Sequence, residues 1–378
     1  MMKIGLNMIV RDESKVIKRL LDSVAPFIDW YTIVDTGSED NTKAIIKEVM
    51  GGHGIEGEIV DHEWISFSDA RNKAIQSMKG KADWGFIIDA DEQLILDNLN
   101  KEELLSFLDG HNQADVTVNF GSTTYNRNAF LNVNYDWEWV GPCHSYLRLN
   151  DGVVSNAGVR QDIVIKVNTD GNSWGNSTVS ELKTKYMTKA LILEDYLKTD
   201  PSPRWVFYIA NSYKDAFEYE KAIEWYEKRL LLGGYWEEKY MSQLYMVDCM
   251  LKLDDKNTSE ILHKLSQCCK LDPNRAEHLY TMALIYQQLG NHQMSYAITK
   301  FITDKWEGNP FPKSSLFIND AVYSWGALDL HSINCYKLGY QNEVMELLNS
   351  LQHRITNGVV PESEVERIEK NIEYFYNM

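Results

Sequence analysis

The chain has 378 residues, room for two domains that each bury a core, and its 44% hydrophobic content is that of a soluble globular protein. Residues 1–180 carry 16 Lys+Arg against 27 Asp+Glu and so supply −11 of a net charge of −17; both halves are acidic, which disfavours nucleic acid as a partner held by nonspecific phosphate contacts. The five cysteines (Cys143, Cys249, Cys268, Cys269, Cys335) are odd in number and include no C-x-x-C pair, and no apolar run approaches the roughly 18 residues of a membrane span, so a reduced, cytoplasmic setting is expected.

Ile4 to Val10 reads as a strand, and Arg11-Asp12-Glu13 follows it too early for a signal peptide. Glu13 to Val24 reads as a helix with Val16, Ile17, Leu20, Leu21 and Val24 on one face, ended by Pro26. Trp30 to Val34 is a second strand, running into the turn and cap residues Asp35 to Thr42 and a helix from Thr42 to Met50. Glu58 to Val60 is a third strand. Ser68 is expected to cap a helix carrying Ala70, Arg71, Asn72 and Ala74, and Trp84 to Ile88 is a fourth, fully apolar strand. This alternation predicts parallel strands joined by crossovers, an α/β domain of Rossmann-like type.

The fourth strand stops on Asp89-Ala90-Asp91-Glu92. Two carboxylates just past a strand's carboxyl end are placed where ligands of open α/β sheets collect, and Mg²⁺ or Mn²⁺ binds well to one or two carboxylates plus substrate phosphates. A solvated turn is the competing reading. Asn7, Arg11 and Asp35 leave the first two strands toward the same edge, where Asp35 suits the donors of a nucleobase or ribose and Arg71 suits a diphosphate. Helix capping competes for Asp35, with Ser38 or Asp40 equally able to cap, and a surface ion pair competes for Arg71.

Four segments in order, Asn7-Met8-Ile9-Val10-Arg11-Asp12-Glu13, Val34-Asp35-Thr36-Gly37-Ser38, Phe67-Ser68-Asp69-Ala70-Arg71-Asn72 and Asp89-Ala90-Asp91-Glu92, resemble the N-terminal half of family 2 glycosyltransferases. The resemblance implies a GT-A fold, a nucleotide-sugar donor such as a UDP-sugar, a divalent metal and inversion at the anomeric carbon. It assigns Asp35 to the base, Arg71 to the diphosphate, Asp89 to the ribose or metal waters and Asp91 to the metal. The chemistry agrees: a nucleoside diphosphate leaving group needs a Lewis acid and cationic donors, the sugar passes through an oxocarbenium-like state, and inversion needs a base for the acceptor proton.

Lys101 to Leu108 reads as a helix, followed by strand-like pieces at Asp115–Phe120, Leu131–Tyr135 and His144–Leu149, with Asn150-Asp151-Gly152 a turn. Between the last two strands lies Asp136 to Ser145. Related transferases with helical C-terminal domains carry a His-Glu pair after such a Trp/Gly stretch; here it reads His144-Ser145, and a later family histidine is Lys166. Glu138, Asp136 and Asp162, in that order, are the base candidates, with Glu92 an outside choice. His144 is a candidate for metal or phosphate, against a structural histidine. Trp137 and Trp139 either stack on the acceptor or pack the sheet.

Asn168 to Thr178 is a Gly/Asn/Ser-rich loop, and the remainder reads as helical, giving expected domains of 1–178 (GT-A) and 179–378 (all-α, tetratricopeptide-like). Helices are predicted from Glu181 to Leu197 and, after Pro201-Ser202-Pro203, in a pair carrying Ala210, Tyr213, Ala222 and Tyr226 around a turn at Phe217. Ala283, Tyr286, Gly290 and Ala297 repeat that pair, and Tyr336 to Tyr340 starts a third copy. Arg229 to Trp236 and Pro312 to Tyr336 resemble the helical tails of the same transferases. Such arrays present binding surfaces, so the helices are expected to hold a glycan, peptide or protein acceptor or to form a homodimer, with a plain scaffold as the alternative. The whole reads as a metal-dependent inverting glycosyltransferase. Its rivals are a noncatalytic tetratricopeptide adaptor with a degenerate transferase domain, and a nucleotidyltransferase.

Overall fold

In the computed structural model, which describes residues 2–97, 100–121, 123–168, 170–171, 178–253, 257–306 and 316–376, the first apolar run forms strand β1 (Ile4–Val10). Helices and strands then alternate: α1 (Ile17–Val24), β2 (Trp30–Asp35), α2 (Thr42–Gly52), β3 (Glu56–Asp61), α3 (Phe67–Met78) and β4 (Trp84–Ile87). After β5 (Glu92–Leu96) and α4 (Lys101–Leu108) come β6 (Gln113–Phe120), β7 (Thr123–Asn132), the short pair β8 (Trp137–Val140) and β9 (Tyr146–Leu149), and β10 (Asn156–Val167).

One mixed sheet runs in the order β3-β2-β1-β4-β7-β6-β10-β5. The predicted parallel set is present, since β1 pairs in parallel with both β2 and β4, and β2 with β3. Antiparallel neighbours, β7 on β4 and β5 on β10, complete it. Side chains alternate along β1. Ile4, Leu6, Met8 and Val10 join the core formed with Ile17, Leu20 and Leu21 of α1 and Ile46 and Met50 of α2. Asn7 and Ile9 turn to the other face, where α3 packs with Ala70, Ala74 and Met78. Helices therefore cover both faces, which is why β1 is apolar on both sides apart from Asn7.

Local differences from expectation have local causes. Ser66, not Ser68, caps α3: its hydroxyl accepts from the Asp69 N–H at 3.1 Å, while Ser68 lies within the helix. The strand expected at Leu131–Tyr135 lies earlier, at Thr123–Asn132, because its polar alternation (Tyr125, Arg127) hides a half-buried strand. Glu92–Leu96 also forms a strand, where only a motif was read.

The chain divides into two compact units: Met1–Gly121 with Tyr125–Ala216, and Ser122–Thr124 with Phe217–Met378. The first includes two helices, α5 (Val179–Leu197) and α6 (Pro203–Asp215). Thr178 and Glu181 form a capping box that starts α5, and Ser202 with Pro203 at the first turn starts α6. The second unit is helical: α7 (Tyr219–Leu231), α8 (Trp236–Lys252), α9 (Thr258–Leu271), α10 (Glu277–Gln288), α11 (His292–Trp306), α12 (Ala327–Leu338), α13 (Gln341–Thr356) and α14 (Glu362–Tyr376). Within it consecutive helices pack on one another, as a stacked array requires. Buried Arg229 closes the Gly233–Tyr235 turn by donating to the carbonyls of Gly233 and Tyr235 and pairing with Glu238 at 3.0 Å. Most of the loop expected at Asn168–Thr178 (169 and 172–177) and the first part of the Pro312–Tyr336 stretch (312–315) lie outside the described residues. Among those described, no helix is long and apolar enough to cross a membrane.

Candidate active site

The strand order fixes where a ligand can sit. From β1 the chain moves to β2 and β3 on one side, then returns to β4 on the other, so the carboxyl ends of β1 and β4 border a topological switch point. At that point lies a recess of about 570 Å³. Ile9, Val10 and Arg11 enter it from β1, Asp89, Ala90, Asp91 and Glu92 from the end of β4, and Phe67 and Arg71 from α3. Tyr125 and Arg127 of β7 and Lys185, Tyr186 and Lys189 of α5 also line it, as do Glu13, Thr36, Phe120 and Val167, with Trp64 set edge-on to Phe67 at 4.8 Å.

Arg71 is aimed by its surroundings. Its guanidinium lies 4.9 Å over the Trp139 ring, donates to Ser145 Oγ at 3.2 Å and approaches Asp89 Oδ1 at 3.5 Å. Asp89 is recessed, open to water yet surrounded by protein. Desolvation, the largest influence, works against its ionisation, but the charges of Arg71 and Arg127 overcome it and lower its pKa below the usual carboxylate range. Glu92 is 3% exposed and gripped by both terminal nitrogens of Arg127; burial pushes its pKa up against that pull. Its Oε2 also accepts the Asp89 N–H at 2.9 Å, which fixes the turn between the two aspartates.

Asp91 is positioned through its backbone: its carbonyl accepts from the Asn168 N–H at 3.1 Å and from Arg19 Nη2 at 3.3 Å. Gly171 lies so close that an added Cβ would stand 2.6 Å from Asp91 Cβ and 3.2 Å from its Oδ2, so only glycine permits the approach. Two carboxylates lining one recess are a donor set suited to Mg²⁺ or Mn²⁺, hard cations that complete their shell with phosphate oxygens and water.

The remaining expected residues divide. Arg11 lines the recess. Asp35 is fully buried and Asn7 is 3% exposed, and neither lines it. Asp35 Oδ1 accepts from the N–H groups of Gly37 and Ser38, the capping-type role weighed above, whereas its buried Oδ2 has no hydrogen-bond partner among the described residues. The Asn7 amide points at Met78 Sδ, 3.9 Å away.

None of the three base candidates lines the recess. Glu138 is paired with Arg148 at 2.5 Å across the β8–β9 hairpin and borders a separate recess of about 510 Å³ with Ser68, Asn72 and Trp139. Asp162 is clamped by Arg160, whose Nε donates at 2.8 Å. Asp136 is exposed, 4.0 Å from Lys79. His144 stacks on Tyr208 at 4.4 Å in the left-handed region (φ 49°), and desolvation by the surrounding protein, then the charges of Lys189 and Arg204, push its pKa down to about 3. It also lies outside the recess lining. Trp137 is core, its indole N–H donating to the Asn132 carbonyl at 2.9 Å, while Trp139 supports Arg71.

The sequence reading missed three cations. Arg127 shares a strand face with Tyr125, two residues away, a pattern that points both side chains to one side. Lys185 and Lys189 are one helical turn apart on α5, and burial lowers the Lys189 pKa. Their proximity to Asp89 is set by tertiary packing and leaves no local trace.

The switch point of an α/β sheet thus gathers two aspartates and several cations in one recess. Residues 7–166 match the family model described as Glycosyl transferase family 2, so the recognition drawn from the four motifs holds for the N-terminal region. A tetratricopeptide-repeat-containing protein of Synechococcus elongatus is 38% identical over 115 residues, 28% of this chain and 27% of its own length. The SPbeta prophage-derived glycosyltransferase SunS of Bacillus subtilis is 23% identical over 253 residues, 66% of this chain and 57% of its own. The chain thus spans about a quarter of the first relative and just over half of the second. The crystal structure of S. aureus TarS superposes with a TM-score of 0.35 at 13% identity, covering 71% of this chain and 52% of that one.

Proposed function

We propose that the chain is a metal-dependent, inverting glycosyltransferase that moves a sugar from a nucleoside diphosphate donor, a UDP-sugar, onto a hydroxyl or thiol acceptor in the cytoplasm. The observation that carries this reading is the convergence of Asp89, Asp91 and Arg71 on one recess at the β1/β4 switch point. Asp91, with Asp89, would hold Mn²⁺ or Mg²⁺, which when bound supplies a Lewis acid for the departing diphosphate. Arg71 with Lys185 and Lys189 neutralises the same developing charge. The assignment of Asp35 to the nucleobase rests on the family resemblance, since its unpartnered Oδ2 is buried and the residue does not line the recess. Arg11, which lines the recess, is assigned to the same donor side, whereas the same role for Asn7, buried against Met78, finds no support in the recess lining.

For the base, Glu138 has the most support of the three candidates, since it borders a recess walled by the Trp139 ring that underlies Arg71. Asp136 and Asp162 have less, and His144 as a metal ligand finds no support in its stacking on Tyr208. The helical part is proposed to hold a glycan, peptide or protein acceptor, or to pair two copies of the chain.

The test is a donor screen with Mn²⁺ and Mg²⁺, read as released nucleoside diphosphate. Release is expected from the parent chain and lost in Asp91→Asn with the fold retained. Release of inorganic diphosphate instead would mark a nucleotidyltransferase, and donor-dependent thermal protection without any release would mark a binding protein.

A further inference from the structure

The helical unit contains a cluster that the donor-site reading leaves unused. His331 and Cys335 stand one turn apart on α12, and Glu343 lies on α13; one ligand atom from each falls within 4.8 Å of the others. His331 Nε2 is 3.2 Å from Glu343 Oε1 and 3.8 Å from Cys335 Sγ. A metal with bonds of about 2.0–2.3 Å to nitrogen, oxygen and sulfur separates its ligand atoms by roughly 3.3–3.7 Å in a tetrahedron. The two separations from His331 Nε2, 3.2 and 3.8 Å, bracket that spacing, and all three atoms lie within 4.8 Å of one another.

The atoms behind the cluster are already committed, which aims the remaining ones inward. With the Thr299 hydroxyl donating to the Ser295 carbonyl at 2.9 Å, its oxygen is free to accept a proton from His331 Nδ1, 2.8 Å away, in the tautomer that leaves Nε2 available as a ligand. In that tautomer Nε2 carries no proton and faces Glu343 Oε1 at 3.2 Å, with His331 only 1% exposed. Tyr296 stacks on the ring at 5.0 Å and donates its hydroxyl to Glu343 Oε2 at 2.9 Å, leaving Oε1 for another partner. This is the support by which metal-bound histidine and carboxylate are normally oriented. The cation now nearest Glu343 Oε1 is Lys300, at 3.3 Å, which is 44% exposed and shares Asp304 at 3.4 Å as a second partner. It can withdraw without losing all its counter-charge.

We propose that His331, Cys335 and Glu343 bind a borderline transition-metal dication of the Zn²⁺ class, pinning α12 to α13. Nitrogen, thiolate and carboxylate together select Zn²⁺ or Co²⁺ over Mg²⁺ and Ca²⁺. Binding forms the three metal–ligand bonds and releases one proton to solvent, from the Cys335 thiol. Glu343, the most exposed of the three at 28% of its side chain, marks the side from which the ion and a fourth ligand, water, would enter.

The experiment uses the full chain, stripped with chelator and titrated with Co²⁺, then with Zn²⁺ in competition. A thiolate-to-cobalt charge-transfer absorption is expected at about one Co²⁺ per chain, displaced by Zn²⁺, with a rise in the unfolding temperature of the helical unit. Cys335→Ser should abolish the absorption, and Glu343→Gln, whose side chain is partly exposed, should weaken Co²⁺ binding roughly tenfold or more. Cys269→Ser controls for the exposed thiol that lies 3.0 Å from His278 Nε2 and should leave the absorption intact. No absorption in the parent chain, or an absorption that survives both Cys335→Ser and Glu343→Gln, overturns the proposal. Neither outcome depends on transferase activity.

Discussion

Arg127 holds Glu92 by a two-pronged ion pair: Nη1 donates to Oε1 at 2.8 Å and Nη2 to Oε2, which also accepts the Asp89 N–H. The pair therefore couples β7 to the turn that carries both aspartates. Arg127→Leu would leave a carboxylate that is 3% exposed without its counter-charge. Such a loss costs about 3–5 kcal/mol, so denaturant unfolding should show a large destabilisation of the first unit. Adding Glu92→Leu should recover much of it, because removing both charges removes the desolvation penalty with them. A double variant no more stable than Arg127→Leu would show that the pair is not the source.

The residues of the proposed donor side that line the β1/β4 recess were legible because their determinants are local. Each parallel strand is a short apolar run, and the residue types that follow each run, Arg11 and Asp89 to Asp91, stand next to it in sequence. The acceptor side was not, because pairing there is set by strand register. Glu138 meets Arg148 only when β8 and β9 form their antiparallel hairpin, in which the two are directly opposite. The four-residue β8 carries too little alternation to announce that hairpin. The Arg160–Asp162 pair on β10 was not read either, and the strand's register shifts between Val159 and Val164 break the simple two-residue period there. Lys185 and Lys189 reach the recess from a helix about a hundred residues beyond Asp89, a contact that no window on the sequence contains.

Arg71→Lys tests whether the fork or only the charge matters. A lysine keeps the positive charge but has no planar fork to serve Ser145 and Asp89 together while lying on Trp139. Loss of one charge-assisted hydrogen bond to a donor diphosphate, about 1.5 kcal/mol, should weaken donor binding roughly tenfold. Calorimetric titration with a nucleoside diphosphate measures it, and unchanged affinity would remove Arg71 from the diphosphate site.

Asp40 gives the acid limb of stability a defined contributor. It accepts from the Thr42 N–H at 2.9 Å and the Ser14 N–H at 3.0 Å, tying the loop after β1 to the start of α2. Desolvation opposes its ionisation, but these hydrogen bonds prevail and lower its pKa to about 2. A carboxylate depressed on folding stabilises above its unfolded pKa, and that contribution is lost as pH falls through the folded value. Asp40→Asn should therefore be less stable than the parent at pH 7, by about 1 kcal/mol or less because the group is exposed and screened. The difference should close between about pH 4 and pH 2. A gap that is constant down to pH 2 would assign the loss to geometry rather than charge.

The inter-helix turns at Phe217 (φ 62°), Gly290 (φ 73°) and Gly339 (φ 79°) each place a residue in the left-handed region, as do those at Gly234 (φ 89°) and Gly358 (φ 67°). At Gly339 an added Cβ would meet nothing within 4 Å, so alanine there is opposed by backbone conformation alone. Gly51, within α2, is equally open but has no positive φ. Gly339→Ala should destabilise the helical unit by about 1 kcal/mol. Gly51→Ala should instead stabilise the first unit by about 0.5–1 kcal/mol, since helical glycine carries an entropic cost that alanine does not. Scanning calorimetry of each variant, read on the transition of its own unit, compares the two. Shifts of the same sign would mean that space, not φ, governs these positions, and the match between the turn at Phe217 and those at Gly290 and Gly339 would lose its physical basis.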